Sequence, residues 1–305
     1  MSVRKYLPGI AGLALLPAVL MAADPAELLR KAEMADKYVS YRGTKSAIVY
    51  FNGKMANSCM KVVHLKPDKT RTDFFSPAQL AGVILIHDSD STWKYSPKKR
   101  VWESVSSCVK FNSDEICREV LENFNLTLLD SDVVANRPAY VVLAEPRVEN
   151  GPSRRMWIDK EYFLVLATEV QTNQGSVVNA SKFVRIEMNP PDISPSVFQV
   201  NGKVEKVKRQ CKRFRTILPG YLPKGYKFVG SSSLVVGGRC CAHLRFTNGA
   251  NTISLFQREY DKEAPMQRIN SKVTNVLTWA RGGILFTLIG DVPSSEMKKI
   301  AQETR

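Results

Sequence analysis

Residues 139–188 open with Ala139-Tyr-Val-Val-Leu143, turn through Glu145-Pro-Arg-Val-Glu-Asn-Gly-Pro152, and return as Arg154-Arg-Met-Trp-Ile158. Met156 and Ile158 fall on one side of that return and Trp157 on the other. Asp159-Lys160-Glu161 turns the chain into Leu164–Val170, where Leu164, Leu166 and Val170 share a face. Asn173-Gln-Gly175 then leads into Val177–Met188, where Val184, Ile186 and Met188 alternate with Arg185 and Glu187. Alternation with a period of two, punctuated by Gly, Pro and Asn, predicts an antiparallel meander. A sheet of this kind must bury one face against something apolar. Whether protein or ligand covers that face is the functional question.

Upstream, Asp24–Val39 has the apolar spacing of a helix that Asp24 can cap, with Pro25 in its first turn. Thr44–Phe51 and Met55–Leu65 flank Asn52-Gly53, a strong hairpin signal. Arg71–Phe75, Val83–Ile86, Thr92–Tyr95 and Arg100–Val105 continue as strands. The unbroken apolar run Val83-Ile-Leu-Ile86 suits a strand buried on both faces. Ser113–Asn123 follows as a helix with Ile116, Val120 and Leu121 inward, and Phe124–Leu129 leads back toward residue 139. Eight or nine sequential strands with two helices, and no alternation of strand and helix, curl under their own twist toward a barrel or half-barrel. Phe74, Phe75, Ile84, Trp93, Trp102 and Trp157 are the candidates to line its hollow, either as plain core packing or around an apolar ligand.

Asn189-Pro-Pro-Asp-Ile-Ser-Pro195 marks a boundary, since three prolines do not fit inside a ladder. Between residues 203 and 215 stand seven basic residues against Glu205. Lys206, Lys208, Arg209, Lys212, Arg213 and Arg215 form a strip that is either a solvated linker or a docking surface for an acidic partner or an anionic membrane. Beyond it, Lys227–Val236, Arg239–Phe246, Thr252–Gln257, Val273–Ala280 and Ile284–Ile289 are strands. A closing helix is signalled by Pro293 and by Met297, Ile300 and Ala301 at helical spacing. The fold class is therefore mainly β, a half-open antiparallel barrel with covering helices plus a small C-terminal α+β domain. The domains run 24–192 and 216–305 with a basic linker at 193–215.

Composition sets the compartment. Arg4-Lys5, the apolar run Leu7–Leu20 and the small residues of Leu20-Met-Ala-Ala23 make a secretory signal peptide over residues 1–23, cleaved after Ala22 or Ala23. Losing Arg4 and Lys5 takes the net charge from +15 to +13, which favours acidic partners, while export removes nucleic acid from consideration. Six cysteines suit an oxidising space. Cys108 and Cys117 would close a short loop worth roughly 2–3 kcal/mol, and Cys211 is expected to pair with Cys240 or Cys241. No spacing matches a redox Cys-x-x-Cys or a zinc site, so no cofactor or metal is expected. Neither a nucleophile elbow, a His-Glu-x-x-His nor a phosphate-binding loop occurs. His64, His87 and His243 are scattered, and the chain does not read as an enzyme.

These residues resemble the MucB/RseB family of periplasmic regulators of the sigma-E envelope-stress pathway. The resemblance is carried by Phe286-Thr-Leu-Ile-Gly-Asp-Val-Pro293 with Met297-Lys-Lys-Ile-Ala301, by Leu222-Pro-Lys-Gly-Tyr226, and by Phe246-Thr-Asn-Gly249 running into Ile253-Ser-Leu-Phe256. Tyr41-Arg-Gly43, Val62-Val-His64, Asn136-Arg-Pro138 and Met156-Trp-Ile-Asp159 sit in the family's order. It implies a large domain similar to the lipoprotein carriers LolA and LolB, with an apolar concavity. It also implies a periplasmic location and a smaller domain that helps bind the periplasmic part of a membrane anti-sigma factor. Family members shield that factor from proteolysis and release it when lipid or a mislocalised envelope component is sensed. The alternative is a lipid or lipoprotein carrier, which has no evident need of the second domain.

Overall fold

The computed structural model describes residues 23–305 apart from 52–53, 90, 106–112, 150, 206–215, 237–238, 261–263 and 270–274. The expected leader, the basic residues from Lys206 to Arg215, Cys108 and Cys211 fall outside the described residues. Helix α1 is Pro25–Met34, extended by a 3-10 turn Ala35–Lys37. Strands β1 Tyr41–Phe51, β2 Lys54–Leu65, β3 Lys69–Ser76, β4 Ile84–Asp88, β5 Ser91–Ser96 and β6 Val101–Val105 follow. Helix α2, Ser113–Asn123, leads to β7 Phe124–Val134, β8 Arg137–Pro146, β9 Ser153–Asp159, β10 Val165–Gln171 and β11 Val177–Met188. Eleven described strands thus precede residue 189, more than the eight or nine expected. A 3-10 turn Pro195–Phe198 and the short β12 Val204–Glu205 bridge to β13 Lys227–Val236, β14 Arg239–Thr247, β15 Thr252–Glu259, β16 Ala264–Ile269, β17 Asn275–Arg281, β18 Ile284–Gly290 and α3 Ser294–Gln302.

Among the described residues the first sheet has the order β12-β6-β5-β4-β3-β2-β1-β11-β10-β9-β8-β7 and does not close. The meander of residues 139–188 forms as expected, and β11 brings it back onto β1, so first and last strands of the large domain meet at the sheet's centre. Gly43 makes that meeting possible: a Cβ there would lie 2.4 Å from the Arg185 carbonyl oxygen. Beside it the pairing shifts between Thr44 and Lys45, so Lys45 pairs with Phe183 and Val184 is skipped. This bulge changes the phase of β11. Phe183 is therefore buried while Val184 is 51% exposed, which corrects the expectation that Val184 shares a face with Ile186 and Met188.

Helices α1 and α2 cover one side of the β7–β9 end. Asp24 caps α1 by accepting the Ala26 N–H at 3.1 Å. Leu28, Leu29, Ala32, Cys117 and Val120 then pack on Val142, Ala144, Met156 and Ile158. Cys117 lies within that inward helix face, and Cys108, expected to pair with it, lies outside the described residues. Cys240 is disulfide-bonded, while its expected partner Cys211 lies outside the described residues.

The second sheet runs β13-β14-β15-β18-β17-β16 and is covered by α3, whose Met297, Ile300 and Ala301 meet Leu244, Phe246, Leu255 and Leu288. Strand β16 was not anticipated because Pro265 lies in it; an edge strand tolerates proline where a central one does not. The two sheets meet at α2. Gly249, with φ +92°, lies so close that a Cβ would stand 2.6 Å from the Val120 nitrogen. Ala250 of the second sheet's hairpin joins the core under α1 and α2.

Candidate functional site

The register carries the helix-covered face across the sheet's centre. Lys45 pairs with Met60 on one side and Phe183 on the other, and Met60 pairs with Phe74. Paired residues in antiparallel strands project to the same side, so Lys45, Met60, Phe74 and Phe183 share one floor. Tyr41 and Val62 continue it toward the Ala35–Lys37 turn, where Ala35 packs on them. Ala47 and Phe74 are half-buried, touching this cluster while remaining open to solvent. This half-buried end of the floor is the candidate site.

The polar groups around that floor fall into two kinds. His64, buried, is fully engaged: Nδ1 meets Thr70 Oγ1 at 2.9 Å, Nε2 meets the Asp36 carbonyl at 2.8 Å, and the ring stacks on Tyr41 at 4.9 Å. It is structural. Burial pushes the Tyr41 phenol up, and the neighbouring Asp36 carboxylate, which it contacts, adds to that. Lys45 differs, because burial lowers its pKa against a small opposing pull from Asp36. Its ammonium lies 5.2 Å from the centre of the Phe183 ring. The sequence signal for Lys45 is its phase: it stands on the same side of β1 as Ala47.

The six candidate liners do not all share this floor. Phe74 and Trp157 pack half-buried against the Tyr41–Met60–Phe183 cluster, and the Trp157 indole donates to Asp132 Oδ2 at 2.9 Å. Ile84, Trp93 and Trp102 lie across the sheet with Val63 and Ile86, beneath Ile193, Val197, Phe198 and Val200. Trp102 donates its indole N–H to the Asn201 carbonyl at 2.9 Å, and Arg71 donates to the Val197 carbonyl at 3.0 Å. Phe75 points outward, 57% exposed. One common lining is thus corrected to two: period-two alternation separates the sides of a strand but does not reveal that residues 193–201 strap one of them.

A hollow of about 380 Å³ opens between α1 and α2 and is lined by Arg30, Cys117, Arg118, Leu121 and Glu122. It went unanticipated, because two helix surfaces distant in sequence make it. The far flank of α2 holds the second sheet. Lys227 Nζ lies 2.7 Å from Glu119 Oε1 and 3.8 Å from Glu122 Oε2. Asn251 Nδ2 donates to the Pro152 carbonyl at 3.3 Å. Arg154 sits at the same joint, where burial lowers its pKa and Asp291, Tyr226 and Glu33 oppose that. Among the described residues no group of His, Cys, Asp and Glu side chains could hold a metal ion, and no helix is long and apolar enough to cross a membrane.

The chain is similar in fold to a chain of the Pseudomonas aeruginosa MucA/MucB complex, with TM-score 0.68 and 17% identity over 92% of this chain and 97% of that one. A crystal structure of MucB gives TM-score 0.68 and 16% identity over 93% of this chain and 98% of that one. MucB in complex with MucA(peri) gives TM-score 0.67 and 17% identity over 92% and 98%. No curated protein matches the chain. The family model of the MucB/RseB N-terminal domain matches residues 24–210, the whole of the open sheet with its two helices and strap, and the chain accordingly belongs to the MucB/RseB family.

Proposed function

We propose that this chain is a periplasmic regulator that binds the periplasmic part of a membrane anti-sigma factor and modulates sigma-E-type signalling. In this reading the solvent-open end of the helix-covered floor senses lipid or a mislocalised envelope component. The observation that carries it is that the likeness to MucB spans both sheets and not the open sheet alone. The second sheet is clamped to α2, and α1 and α2 together cover the neighbouring β7–β9 end of the open sheet. An occupant that shifts these helices would therefore strain the clamp, giving a route from cavity to partner. The residues from Lys206 to Arg215 supply the positive strip that an acidic partner segment would meet.

The test is capture of the full mature chain by the immobilised periplasmic segment of the anti-sigma factor from the same organism. Retention is expected, weakened when Lys206, Lys208, Arg209, Lys212, Arg213 and Arg215 are changed to Glu. Failure of the unaltered chain to bind would overturn the regulator. The second reading, a lipid or lipoprotein carrier, draws on the same floor and would be favoured by acyl transfer between vesicles without any partner capture.

A further inference from the structure

The floor beside the open end carries a charge that its apolar neighbours do not explain. Lys45 stands in register with Met60 and Phe183, its stem lying on the same side as Phe74 and Ala47. Its ammonium rests near the Phe183 ring. No carboxylate among the described residues forms an ion pair with it. Asp36 acts on it only at a distance, and that side chain is already engaged with the Tyr41 phenol. A strand position of this phase takes an apolar residue at lower cost, since holding an ammonium against a buried surface is unfavourable without a counter-charge. The cation–ring contact recovers part of that cost. An anion on an apolar body that lies on Phe74 and Ala47 would complement both the ammonium and the surface beside it.

We infer that Lys45 is a head-group site, and that the floor selects single-chain amphiphiles with an anionic head over neutral ones. The inference rests on the lipid-sensing reading above and specifies its ligand class: the head, carboxylate or phosphate, meets the Lys45 ammonium, and the chain covers Phe74 and Ala47. A neutral ester of the same chain fills the apolar surface and leaves the ammonium unpaired. A free inorganic anion meets the ammonium and leaves the surface wet. Both should bind less well than the amphiphile.

The test uses the full mature chain and cis-parinaric acid, whose fluorescence reports an apolar environment, beside its methyl ester. The acid is expected to bind roughly tenfold or more tightly than the ester. Lys45→Met should bring the acid down to the ester's level without weakening the ester, and Lys45→Arg should keep the preference. Lysophosphatidic acid should displace the probe where inorganic phosphate does not. Equal binding of acid and ester by the unaltered chain, or an acid affinity unmoved by Lys45→Met, overturns the head-group site and leaves the apolar floor standing. Displacement by inorganic phosphate at the same concentration overturns the need for a chain. If neither acid nor ester binds, the lipid-sensing reading falls and this inference falls with it.

Discussion

Lys227, on the first residue of the second sheet, places its ammonium 2.7 Å from Oε1 of Glu119, a carboxylate buried in the helix that roofs the first sheet. The joint between the two modules turns on this pair. Removing the lysine strands a buried charge, whereas removing the charge leaves an exposed amine that water solvates. Lys227→Met is therefore expected to split thermal unfolding into two transitions, one for each sheet, and Glu119→Gln to do so much less. Differential scanning calorimetry of both variants reads the difference.

Gly249 tests the same joint from the backbone side. With φ +92° and only 2.6 Å between a would-be Cβ and the Val120 nitrogen, neither strain nor contact can relax by moving a side chain. Gly249→Ala is expected to lower stability by more than about 1 kcal/mol, measured as a shift in the urea midpoint.

His243 sets a pH dependence in the second sheet. Burial, with a smaller push from Arg245, lowers its pKa to about 4. Its ring stacks on Phe256 at 4.3 Å and Nε2 meets Ser254 Oγ at 2.9 Å. The folded state prefers the neutral ring, so between the ordinary value of ~6.5 and about 4 the unfolded chain binds more protons. Stability from this residue is fully present above the ordinary value and is lost as pH falls through that window. Urea unfolding at pH 7 and pH 4 should show the loss, and His243→Asn should remove that part of it.

The strap over the far side of the sheet has its own anchor. Phe198 is buried with Val63, Ile86 and Trp102. Phe198→Ala is expected to cost about 3–5 kcal/mol and to shift tryptophan emission to longer wavelength as Trp93 and Trp102 meet water. An unchanged spectrum with unchanged stability would show that the strap contributes no packing.

Much of this architecture was legible in the chain itself. Helix α2 spans Ser113–Asn123 as its spacing predicted, because Ile116, Val120 and Leu121 recur at helical intervals between turn-forming residues. The meander was legible because Gly, Pro and Asn mark its turns. The phase of β11 was not, since the bulge opposite Thr44 and Lys45 depends on a pairing 140 residues away in sequence. The site was harder still. Aromatic residues drew attention to Trp93 and Trp102, which a strap buries, while Lys45 takes its meaning from Met60 and Phe183 on the neighbouring strands. Such a juxtaposition is a property of strand order, which alternation along a single strand does not encode.

In the regulatory reading proposed above, an occupant of the floor and a protein partner are coupled through α2. The direct measurement is the affinity of the full mature chain for the periplasmic anti-sigma segment, by calorimetry, with and without saturating lysophosphatidic acid. Binding is expected to weaken by at least roughly tenfold when the amphiphile is present, a coupling of the size usual between linked sites. An affinity that the amphiphile leaves unchanged would contradict that coupling.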